Sequence, residues 1–168
     1  MWKKGKQSIS AGDDSTNVIA GRDVNLFVEG DVPTELIDQK IEEEVEKLRK
    51  SRFFLEFDRT KSALRLGRRL AEGDLSGGSN EIRSRGLAWC ARVLSPSDNL
   101  EPAEDFLEHA KTIGDSAEAN IAEAFVISRK GDKATALQTL AGIDSDASHS
   151  AGLMIVANHD GAENAFKW

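Results

Sequence analysis

The chain has 168 residues, 39 % hydrophobic and 30 % charged, enough for one compact domain or a domain with an appendage. Its 29 acidic and 22 basic residues give a net charge of −7, which disfavours nucleic-acid binding, because duplex affinity comes mainly from phosphate neutralisation. The single cysteine, Cys90, excludes an internal disulfide framework and a Cys-based zinc cluster, and no apolar run approaches the ~20 residues of a membrane-spanning helix.

The start, Met1-Trp2-Lys3-Lys4-Gly5-Lys6, has no apolar run behind its lysines and does not read as a secretory signal, so a soluble, cytoplasmic protein is expected. Composition then divides the chain into three regions: 1–31, 32–78 and 79–168. The first carries four basic and five acidic residues, the second ten of each, and the third eight basic and fourteen acidic.

Residues 1–31 contain a short repeat. Ala11-Gly12-Asp13-Asp14 and Ala20-Gly21-Arg22-Asp23 both read Ala-Gly-x-Asp, with the Ala-Gly pairs nine residues apart. Val18 and Ile19 lie in a β-type run between them. Val24, Leu26 and Val28 alternate with Asp23, Asn25 and Phe27, the period-2 pattern of a strand with one buried face. Each glycine corner can turn the chain, so two or three short strands are predicted.

A hairpin of that size is marginal in water, and its edges expose unpaired N–H and C=O groups. It can pair with another chain, dock on its own body, or stay unfolded. The repeat favours pairing between chains, because turn-and-strand units stack on copies of themselves. Val18, Ile19, Val24, Leu26, Phe27 and Val28 are therefore the candidate self-association residues.

Pro33 opens the second region and suits the first turn of a helix, where its missing N–H costs nothing. Ile37, Ile41, Val45, Leu48, Arg52 and Leu55 follow at steps of three and four, a one-sided stripe. It is shorter than a coiled coil wants, so a surface helix packed on its neighbours is the expected outcome. Glu43 with Lys47 and Glu46 with Lys50 are i,i+4 pairs in the favourable order. Phe53, Phe54, Leu55 and Phe57 form an apolar knot, and a second helix over 58–72 should bury Ala63, Leu66 and Leu70.

From Asn80 onward, helices are predicted over 80–95, 100–113, 116–130, 133–143, 148–158 and from 161 onward, divided by Ser95-Pro96-Ser97, Gly114, Gly131, Asp144-Ser145 and Gly161. Helices this short must stack in antiparallel pairs to bury their apolar faces.

Ala91, Ala103, Leu107 and Ala110 are spaced by 12, 4 and 3 residues, and Ala124, Ala136, Leu140 and Ile143 repeat that spacing 33 residues later. Small residues let helix backbones approach, and a large one fills the groove between them. This pattern over about 80–145 resembles the tetratricopeptide repeat, with Leu87, Leu94 and Ile127 at its large first-helix positions, while Asn120 and Glu123 depart from it.

The resemblance implies a mainly α fold of antiparallel helix-pair repeats, an α-solenoid, behind a small N-terminal β segment. It also implies a concave groove lined by the first helices, with Arg85 and Arg92 in one unit and Ile121 and Phe125 in the next. Two guanidinium groups beside an apolar floor suit an extended protein or peptide partner with an acidic end. The last unit is unfinished: Phe166 and Trp168 leave it apolar, which reads as a truncated array or as a terminal contact face.

The sequence carries little that resembles catalytic chemistry. His149 and His159 stand about 15 Å apart along one predicted helix, too far to share a metal. Gly73-Asp74-Leu75-Ser76-Gly77-Gly78 lacks the Gly-Lys-Ser/Thr of a phosphate loop, and no base is spaced to activate Cys90. No enzyme activity and no cofactor are expected of this chain.

The expected function is a non-catalytic interaction and self-association module. Glycine-turn heads before helical repeats resemble parts of larger bacterial signalling or defence proteins. The alternative is a regulatory or sensor domain of an enzyme whose catalytic part lies elsewhere.

Overall fold

A computed structural model describes residues 32–51 and 58–161. The predicted strands of 1–31, the knot at 53–57 and the face at Phe166 and Trp168 lie outside the described residues. Among the described residues there are seven helices and no strands: α1 Thr34–Lys50, α2 Arg59–Ala71, α3 Asn80–Leu94, α4 Glu101–Ile113, α5 Ala117–Arg129, α6 Lys133–Ala141 and α7 Asp146–Asp160. None of these is long and apolar enough to cross a membrane.

Local chemistry sets the helix starts. The side chains of Asp58, Ser79, Ser116, Asp132 and Ser145 each accept from the backbone N–H three residues on, satisfying a donor that the first turn would otherwise leave unpaired. Ser145 therefore starts α7 two residues before the predicted boundary. α1 has no side-chain cap and relies on Pro33. Gly131, at φ 95°, makes the turn between α5 and α6, a conformation that L side chains rarely adopt.

Helices pack in a regular order. Each odd-numbered helix touches the next odd-numbered one, and successive helices touch each other through most of the chain. Two apolar clusters result. The larger draws on α1 to α5 and includes Ile41, Leu48, Leu70, Leu87, Leu94 and Phe106. The smaller joins α5, α6 and α7 through Ile121, Ala124, Ala136, Leu140, Ala151 and Ile155. α5 serves both clusters, because Ala119, Ala122 and Val126 face the first. Ala91, Ala103, Ala124 and Ala136, the small positions of the 33-residue pattern, are all fully buried.

α1 is a packed surface helix. Ile41 and Leu48 are buried and Ile37 and Val45 half-buried, whereas Leu36 stays exposed. Its charges pair in a different register from the one predicted: Lys47 bonds Glu44 at 2.8 Å rather than Glu43, while Lys50 does meet Glu46 at 3.3 Å. Such exposed pairs contribute at most about 1 kcal/mol each.

Polar bonds tie the elements where apolar contact ends. Ser79 N donates to Asp38 Oδ1 at 2.7 Å, fixing the entry to α3 against α1. Gly78 beside it has no room for a side chain: a Cβ would lie 2.6 Å from Ile41 Cδ1. Arg83 donates twice to the Leu70 carbonyl at the end of α2 (3.2 and 3.1 Å), and Arg59 Nε donates to the Leu48 carbonyl at the end of α1.

Three aspartates link this scaffold to pH. Arg69 grips Asp74 through two bonds of 2.8 and 2.9 Å and holds its carboxyl below the ordinary value of 3.8. The capping bonds from Lys61 and Thr135 do the same for Asp58 and Asp132. A depressed carboxyl contributes stability above the unfolded value, and that contribution is lost as pH falls through the folded value. The urea midpoint should therefore drop below about pH 4. Asp74→Asn should make the drop shallower; a midpoint that rises on acidification would contradict the assignment.

Candidate functional site

The four predicted groove residues lie on α3 and α5. Arg92 is the centre of the arrangement. Its Cζ lies 4.9 Å from the ring centroid of Trp89 and 4.8 Å from that of Phe125, so the guanidinium bridges one helix to the next across two aromatic rings. Arg49 of α1 reaches the same indole, with Cζ 5.2 Å from its centroid. Contacts of this kind contribute roughly 0.5–1 kcal/mol each at exposed sites and more where water is excluded.

Helical spacing explains the cluster. Arg85, Trp89 and Arg92 are separated by four and three residues and so share one face of α3. Trp89 is half-buried, while its neighbour Cys90 is fully buried. Burial pushes the Cys90 thiol well up and keeps it protonated, as suits a packing residue rather than a nucleophile.

Arg85 lies one turn back, with Nε 3.7 Å from Glu118 Oε1. Together with Arg49, Arg92, Trp89 and Glu118 it lines a cavity of about 230 Å³ between α1, α3, α5 and the start of α7. Ile121 also lines that cavity and is itself almost wholly buried in the smaller cluster. Phe125 does not line it; with Arg92 it lines a second and larger cavity. The four predicted residues thus divide between two adjoining cavities, with Arg92 common to both.

The site also contains residues that the sequence pattern did not single out. Trp89 stood beside an apolar cysteine and reads from sequence as core; its i−4 and i+3 relation to two arginines was the available signal. Arg49 comes from a helix with no sequence link to α3.

Among the described residues no group of three or more His, Cys, Asp or Glu side chains converges as metal ligands would. His159 sits at the end of α7, with Nε2 3.0 Å from both the hydroxyl and the carbonyl oxygen of Ser128. Beside it Lys133 bonds Asp160 at 2.6 Å, joining α6 to α7.

Comparison with known proteins yields no matching family, no matching curated protein and no matching solved structure.

Proposed function

We propose that this chain is a non-catalytic protein-interaction module of tetratricopeptide-like helix pairs, whose odd-numbered helices hold an extended acidic segment of a partner protein. The observation that carries this reading is the Arg92 guanidinium set between Trp89 and Phe125, with Arg49 and Arg85 beside it. On a chain of net charge −7, positive charge held in place over aromatic surface favours an oppositely charged partner. Arginine and aromatic side chains are also the residue types that dominate binding energy at protein interfaces.

Self-association through 1–31 is the second half of the proposal and rests on the Ala-Gly-x-Asp repeat alone. By the resemblance of that head, the chain serves as the assembly part of a larger bacterial signalling or defence protein.

Selection from a random-peptide display library tests the groove. Peptides carrying Asp or Glu next to an apolar residue should be enriched; a library that yields no binders, or binders without acidic residues, would refute it. Light scattering tests the assembly half, for which the expected mass is at least twice 18.3 kDa and drops to that of a single chain when residues 1–31 are removed; a single-chain mass in both cases would refute it.

A further inference from the structure

We infer that Asp160 is a site of self-modification: its bond to Gly161 rearranges to the isoaspartyl linkage, in which the chain runs through the side-chain carboxyl carbon, and Lys133 of α6 restrains the change. Asp160-Gly161 is the one Asp-Gly step in the chain, and Asn-Gly does not occur. A following glycine matters because it has no side chain to shield its backbone nitrogen. Gly161 stands at φ 87°, where a side chain would be strained, so the residue that lets α7 end here also bares that nitrogen. Among the described residues nothing lies within 4 Å of a Cβ built at Gly161, and Asp160 itself is exposed.

The rearrangement needs only water. The Gly161 nitrogen attacks Asp160 Cγ and an N–Cγ bond forms. One carboxyl oxygen leaves as water, carrying the amide proton and the proton of the acid. Water then reopens the cyclic imide. Attack at Cγ restores aspartate; attack at the backbone carbonyl leaves the chain linked through Cγ, with the former backbone carbonyl as a free carboxylate. Nothing is oxidised or reduced, and the mass is unchanged.

Two contacts hold the reacting atoms in place in the folded chain. The Gly161 N–H donates to the Ala157 carbonyl at 3.1 Å, and Lys133 Nζ donates to both carboxylate oxygens of Asp160, at 2.8 and 2.6 Å. The first is a last-turn bond, and helix ends fray, so it opens often. The second holds the carboxylate toward α6 and is the restraint that a substitution can remove. Isomerisation lengthens the backbone by one carbon and takes the carboxylate out of its register with Lys133, which loosens α6 from α7.

The site is independent of the groove, since it uses neither Arg92 nor Trp89. Incubation of the full chain at neutral pH and body temperature, followed by peptide mapping with electron-transfer fragmentation, distinguishes the two linkages at Asp160. Isoaspartate should accumulate there about two- to fivefold faster in Lys133→Met than in the unsubstituted chain, with unchanged far-UV circular dichroism in both. Lys133→Arg, which keeps a cation in reach, should stay near the unsubstituted rate. In urea, where both contacts are gone, the unsubstituted chain and Lys133→Met should react at one common and faster rate. The inference is overturned if no isoaspartate forms at Asp160 in Lys133→Met or in urea. Equal rates in the folded unsubstituted chain and folded Lys133→Met, or a rate in Lys133→Arg as high as in Lys133→Met, would overturn it too.

Discussion

Leu87→Ala should lower stability by about 3 kcal/mol and the melting temperature by about 10 °C. Leu87 has no solvent exposure, and it sits on α3, which touches α1, α2, α4 and α5. Removing three carbons there leaves a void bordered by elements that cannot all move inward together. Collapse of one helix into the gap would strip contacts from another, so little of the loss is recovered. Loss of the transferred apolar area alone would cost less, and the rest is the unfilled space. Thermal unfolding followed by circular dichroism checks the figure; a loss under about 1 kcal/mol would mean that α3 is not held from several sides.

Arg92→Glu should weaken a display-selected acidic peptide by roughly thirty- to hundredfold, an effect of about 2–3 kcal/mol. The substitution removes the group that spans Trp89 and Phe125 and places a like charge opposite the peptide. Arg92→Lys separates charge from shape. A lysine keeps the charge but loses the planar group that stacks between rings, so it should recover only part of the affinity. The free protein should lose about 1–2 kcal/mol in Arg92→Glu, from the two ring contacts, and less in Arg92→Lys, whose ammonium keeps part of them. Fluorescence anisotropy with the labelled peptide gives the affinities, and urea unfolding gives the stability. Unchanged affinity in Arg92→Glu would remove the groove reading.

Much of the helical body could be read from the chain, because its punctuation is chemical and local. The breaks at Ser95-Pro96-Ser97, Gly114 and Gly131 place helix ends to within a residue or two, and Ala63, Leu66 and Leu70 are buried as the second helix requires. α7 begins earlier than predicted because Ser145 caps a helix where it was read as part of a break. Ion-pair register was less legible: Lys47 can reach either Glu43 or Glu44, and side-chain geometry decides between them.

The candidate site was legible only in part. Arg85, Arg92 and Phe125 were expected from the repeat resemblance, but the contact of Arg92 with Trp89 depends on rotamer and that with Phe125 on how α5 lies against α3. Arg49 joins the same ring from 40 residues away along the chain. No local pattern encodes that meeting, since it is created by the packing of α1 on α3. The larger cavity escapes sequence reading for the same reason, since its walls come from α2, α3, α5 and α7.

The sole thiol of the chain lies in the C-terminal half of α3, which touches four other helices, and has no exposed surface. A sulfhydryl reagent cannot reach it while α3 keeps its surroundings. Chemical labelling of Cys90 therefore acts as a clock, timing how often the centre of the molecule opens without any probe having to be engineered in.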